Sequence, residues 1–165
     1  MIVVSYVVGL GIEFAAAQIR GHEINEGFLV SGLLIPMIMP INAPLWMVGV
    51  STAFAVIIGK EIFGGTGMNI WNPALLARAF FFFSYPSMIS GDKVWIAGMP
   101  DGFSQATPLA EAAQGLPTTY DMSSMFWGLI PGSVGETSTF CILLGAILLI
   151  ATGIGSWKII LSTFI

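Results

Sequence analysis

An all-α fold, a polytopic membrane helix bundle with broken or re-entrant half-helices, is what this sequence predicts, and three observations lead there. Of 165 residues, 56% are hydrophobic and 8% charged, with a mean hydropathy of +0.90, whereas a soluble domain carries about a quarter charged residues. Nearly all the charges fall between apolar runs, as in "RGHEINEG" and "GKEIF"; Glu13 and Arg78 are the exceptions. Several apolar segments are also interrupted by glycine or proline before reaching the ~20 residues that cross a ~30 Å hydrocarbon layer.

The opening "MIVVSYVVGLGIEFAAAQIRG" has small residues after an apolar run, as a signal peptide would, but it lacks a basic n-region. It also holds Glu13 within the run, so an embedded helix over residues 1–19 is the better reading. Further helices are expected over 27–39, 45–59, 73–85 and 137–153, with another beginning at Trp157. The chain begins inside one apolar segment and ends inside another, "WKIILSTFI". Residues 1–165 therefore read as a fragment of a single membrane domain, about five transmembrane helices plus the start of a sixth, with a polar loop at about 87–120.

Two segments read as breaks. In "FGGTGMNIWNPALLARAF", Gly64, Gly65 and Gly67 precede Asn72-Pro73, a pair suited to an N-cap and the first helical position. In "DMSSMFWGLIPGSVGE", a short helical stretch stopped by Pro131 and Gly132 reads as a re-entrant half-helix. Irregular backbone at membrane depth is tolerated only where protein or a polar cavity serves its free N–H and C=O groups, so both segments point to a buried site.

Alternating the helices places Arg20, Lys60 and Lys158 on one side and Lys93 on the other. The positive-inside tendency makes the first side cytoplasmic and the 87–120 loop external, and Trp46, Tyr85 and Trp157 near helix ends fit an interfacial aromatic belt.

Composition also excludes functions. A net charge of -4 without a Lys/Arg cluster argues against nucleic acid. The single cysteine, Cys141, lies in "TFCILLGAILLI" and reads as packing, and His22 has no second histidine or cysteine with which to share a metal. "GGTG" lacks the Lys-Ser/Thr of a nucleotide-hydrolysing loop.

The candidates for chemistry are few. Glu13 reads either as part of an ion or proton path or as a carboxyl held by a neighbouring helix, because an intramembrane acid is expensive facing lipid. Arg78 needs an anion, a carbonyl cluster or an aqueous cavity, or it forms a structural ion pair with Glu13. Asn69 and Asn72 stand at a helix start, where they either cap it or donate to an electron-rich group. The run "FFFF" from Phe80 packs on lipid and core, with one face available to line a quinone-sized channel.

Taken in order, "GLGIEF", "RGHEINEGF", "GKEIFGGTGMNIWNPALLARAF", "SGDKVWIAG", "DGFSQAT", "GSVGETST" and "GIGSWKIILS" resemble the B-subunit family of the sodium-translocating NADH:quinone oxidoreductase (Nqr). The D subunit of the Rnf complex is a more distant likeness. The resemblance implies a membrane redox subunit of the bacterial inner membrane, working with the other Nqr subunits and passing electrons through FMN and riboflavin to quinone while sodium is exported. It implies that a flavin transferase recognises Asp101, Gly102, Ser104 and Ala106 and attaches FMN through its phosphate to the hydroxyl of Thr107, on the external side. Gln105 stands where that pattern has glycine. By the same resemblance Asn69 and Asn72 lie near riboflavin, Glu26 and Gly27 near quinone, and Glu13 on the sodium route. The alternatives are an Rnf-type redox subunit, or a solute or ion transporter, for which "DGFSQAT" would have no use.

Overall fold

Every regular element among the described residues is helical, and the order of the helices follows the apolar runs. The computed structural model describes residues 1–21, 27–89, 108–115, 117–118 and 120–163. The chain divides into two units, Met1–Ala106 with Ser133–Gly135, and Thr107–Gly132 with Glu136–Ile165.

The first unit begins with α1, Ile2–Arg20, which ends where Gly21 turns left-handed (φ 68°) and donates its N–H to the Ala17 carbonyl. Helix α2, Phe28–Ile38, carries Pro36 in its last turn. Helix α3, Leu45–Gly59, runs into a single 3-10 turn, Glu61–Phe63, and α4, Pro73–Ser84, is followed by the short α5, Pro86–Ile89. Two stretches, Ile2–Arg20 and Leu45–Phe63, are long and apolar enough to cross a membrane. At 1.5 Å per residue, α2 and α4 rise only about 17 Å and 18 Å.

Small residues let these helices approach closely. The Phe28 ring at the start of α2 fills the space a side chain at Gly9 of α1 would need, and Phe28 and Tyr6 together crowd Gly32. The Tyr6 hydroxyl donates to the Leu29 carbonyl at 2.7 Å, tying α1 to α2. On α3 the buried residues Val48, Ser51, Thr52, Ala55, Val56 and Gly59 fall at helical spacing and form one face. Against α3 lies α4, where Ala74, Ala77 and Phe81 are buried and Phe80 stacks on Phe54 at 4.3 Å between ring centroids. The phenylalanine run thus divides as its helical spacing requires, with Phe81 in the core and Phe83 80% exposed. At the far end of α4, Tyr85 meets Trp46 edge to face at 5.7 Å. Gly135, from the returning segment Ser133–Gly135, donates its N–H to the Met37 carbonyl at 3.0 Å, serving an acceptor at the end of α2.

The break before α4 is as the sequence predicts. Gly64, Gly65 and Gly67 adopt φ values of 117°, 94° and 90°, which only glycine takes without strain. Asn72 Oδ1 then accepts from the backbone N–H groups of Ala74 at 2.9 Å and Leu75 at 3.4 Å, and Pro73 opens the helix. Asn72→Ala is expected to lower stability by about 1 kcal/mol, read as a fall in the unfolding midpoint of the intact subunit in detergent; an unchanged midpoint would remove the cap from the account.

The second unit holds α6, Pro108–Ala113, α7, Met122–Trp127, α8, Thr139–Ala151, and α9, Trp157–Ser162. The half-helix α7 is shorter than the sequence suggests. It ends at Gly128, which turns left-handed (φ 82°) and donates to the Ser124 carbonyl, ahead of Pro131 and Gly132. Phe126 and Trp127 pack their rings on Phe140 of α8, at 6.2 Å and 5.1 Å, and Ser138 caps α8 by accepting from the Cys141 N–H. In the first turn of α7 the Ser123 hydroxyl donates to Asp121, the N-cap residue, at 2.6 Å and holds that exposed carboxyl below its ordinary range.

Candidate functional site

Two ion pairs of the first unit, Glu13–Lys60 and Arg20–Glu61, lie towards the ends of α1 and α3. Lys60 follows α3 directly and lies four residues after Val56, on the same buried face. Its ammonium is not at the surface: it donates to Glu13 Oε1 of α1, and the two side chains are 5% and 6% exposed. The ammonium also stands 5.9 Å from the centroid of the Phe28 ring, within cation–π range. Glu13 Oε2 is buried without a hydrogen-bond partner among the described residues.

Beside this pair a second one closes the surface. The Arg20 guanidinium lies 3.3 Å from Glu61 Oε2 and also donates to the Glu61 carbonyl oxygen. Arg20 and Lys60 therefore occupy one end of the unit, as the alternation of helices predicts. The glycine loop wraps onto the same point, with Gly65 N–H donating to the Lys60 carbonyl at 3.1 Å and Gly64 N–H to that of Glu61.

The loop itself presents a different chemistry. Met68, Ile70 and Trp71 are exposed, Asn69 Nδ2 reaches the Trp71 carbonyl at 3.4 Å, and Phe63 meets Trp71 edge to face at 5.8 Å. Because Asn72 Oδ1 is engaged by the cap, the exposed side chain offers its amide N–H groups to a ligand. Gly27, the N-cap of α2, abuts this loop: the Thr66 side chain fills the space a Cβ at Gly27 would occupy.

The chain matches the NQR2, RnfD, RnfE family over residues 1–165. It belongs to that family. Among curated relatives, it is similar to the B subunit of the Na(+)-translocating NADH-quinone reductase of Chromohalobacter salexigens, 51% identical over 98% of this chain and 40% of the relative. The subunits of the same name from Pseudoalteromonas atlantica and Ectopseudomonas mendocina are 46% and 48% identical, over 98% and 95% of this chain and 41% and 40% of theirs. The chain thus spans about two fifths of the length of these relatives.

Within this NQR2, RnfD, RnfE family chain, some of the residues singled out by sequence come together. Gly27 touches the loop that carries Asn69 and leads to Asn72, and Glu13 lies beneath it on Lys60. One expectation is corrected: the cation on Glu13 is Lys60, not Arg78. Helix α1 packs mainly on α2 and α3, whereas half-buried Arg78 belongs to α4, which packs on α3 and α2. Asp101, Gly102, Ser104, Ala106, Thr107, Glu26 and His22 lie outside the described residues. Sequence reasoning counted Lys60 among the interfacial cations and passed over Phe28, Thr66 and Trp71. For Lys60 a signal was present, since its spacing from Thr52 and Val56 continues the small, buried face of α3.

Proposed function

We propose that this chain is part of the membrane-embedded B subunit of a sodium-pumping NADH:quinone oxidoreductase, which relays electrons through covalent FMN and riboflavin to quinone in the bacterial inner membrane. The observation that carries the reading is that relatives bearing that subunit's name are 46–51% identical across 95–98% of the chain. The other Nqr subunits are its partners, and NADH oxidation belongs to one of them. Residues 1–165 are a fragment of a single membrane domain, about five transmembrane helices plus the start of a sixth, with the Thr107 loop on the periplasmic side.

When bound, flavin would supply the electron-carrying chemistry, and the chain's residues would position it. The loop fits a flavin: the exposed Trp71 offers an aromatic face, and the amides of Asn69 and Asn72 offer hydrogen-bond donors to ring carbonyls. Gly27, which this reading assigns to the quinone, lies against Thr66 of that loop. Thr107 would hold FMN as a phosphoester formed by a flavin transferase, which fixes the cofactor independently of binding affinity. Sodium is cargo, and the intramembrane carboxylate of Glu13 is the group that receives it.

The test is the subunit isolated from the complete complex. Its intact mass is expected to show one esterified FMN, and acid extraction to release riboflavin; a subunit with neither would remove the redox reading and favour a transporter. Glu13→Gln keeps the shape and removes the anion. It is expected to raise the sodium concentration for half-maximal quinone reduction about tenfold, with flavin content unchanged. An unaltered sodium requirement would return Glu13 to a structural role.

A further inference from the structure

Glu13 and Lys60 make a pair of no net charge in a place where a net charge is expensive. Both side chains are nearly fully buried, and Arg20 engages the neighbouring carboxylate of Glu61, leaving Glu13 as the anion that holds Lys60. Lys60 takes one carboxylate oxygen, Oε1, and the Phe28 ring covers its other side; Oε2 stays buried and, among the described residues, unpartnered. An unpartnered buried carboxylate oxygen is a position that accepts a further positive group. A monovalent cation arriving there while the ammonium stays would leave one uncompensated positive charge in a low-dielectric interior. The two cations therefore exclude each other. The lysine stem is long and flexible and its ammonium is a compact point charge, so it can withdraw without moving α3.

We propose that Lys60 is a positioning residue that acts as a tethered competitor: its ammonium neutralises Glu13 when no sodium is present and has to leave when sodium enters. This rests on the reading of Glu13 as the sodium-receiving carboxylate. It adds a reason why sodium binds reversibly there, because each arriving ion meets a resident counter-charge that returns when the ion moves on.

Two variants of the complete complex test it in opposite directions. Lys60→Met keeps most of the stem and removes the competitor, so the sodium concentration for half-maximal quinone reduction is expected to fall, by roughly the tenfold of a strong site coupling. The measurement is made at alkaline pH, where protons compete least. Lys60→Arg keeps the charge and brings a planar fork that can engage both Oε1 and Oε2, so it is expected to raise that concentration severalfold. A merely structural role would shift both variants the same way. In Glu13→Gln/Lys60→Met the gain from removing the lysine is expected to vanish. If Glu13→Gln raises the sodium requirement while Lys60→Met leaves it unchanged or raises it, the competitor is overturned and the Glu13 route stands. If Glu13→Gln itself has no effect, both fall. Should Lys60→Met fail to assemble, judged by in-gel flavin fluorescence, the arginine variant decides alone: an unchanged or lower sodium requirement overturns the proposal.

Discussion

Valine in place of Thr107 is expected to leave the protein without covalent flavin. The two side chains have nearly the same shape, but only threonine has the hydroxyl that forms a phosphoester. Asp101, Gly102, Ser104 and Ala106, the residues a transferase would recognise, are untouched. The readout is in-gel flavin fluorescence and intact mass of the subunit purified from the complete complex, with the transferase co-expressed. Loss is expected to be complete, while Thr107→Ser, which retains a hydroxyl, keeps at least part of the signal. A valine variant that still carried the mass of one FMN would move the attachment elsewhere. If the unaltered sequence itself failed to acquire FMN, Gln105, in the place of the pattern's glycine, would be the residue to change first.

The second large effect falls on the fold. Phe28→Ala is expected to lower its stability by about 3–5 kcal/mol, as deletion of a fully buried aromatic ring does. The ring is 0% exposed and wedged against Gly9 and Gly32, two positions with no side chain to relax into the space. It also covers the ammonium of Lys60, so its removal opens the ion pair as well as the packing. Unfolding of the complete subunit in detergent micelles measures it, with Leu29→Ala, on a half-exposed neighbour, as the reference. A loss for Phe28→Ala no larger than for Leu29→Ala would mean that the wedge contributes little.

Much of the architecture was legible because the signals are local. An apolar run of helical length bounded by charge and proline leaves little choice for α3, and a proline preceded by asparagine can cap α4 but not continue a helix through it. The glycines before it mark the loop because their φ values are closed to other residues. What escaped notice depends on contacts distant in sequence. Lys60 and Glu13 are 47 residues apart, and charge counting alone sends a lysine beside a helix end to the surface. Phe28 looks like any apolar residue until Gly9 is seen opposite it. The early end of α7 turned on a choice between Gly128 and Pro131, both legitimate stops. The flavin attachment proposed at Thr107 rests on likeness to a family alone, since no physical rule distinguishes Thr107 from an ordinary loop threonine.

The separation of Glu13 from Lys60 bears on how the protein is made. A ribosome adds about 5–20 residues per second, so roughly 2–9 s pass between the synthesis of Glu13 and that of Lys60, 47 residues later. During that interval Glu13 lacks the ammonium that partners it in the folded unit, and an intramembrane acid carries an insertion penalty of about 3 kcal/mol on translocon scales. The Glu13–Lys60 contact can therefore form only after α3 and the residue that follows it have been made.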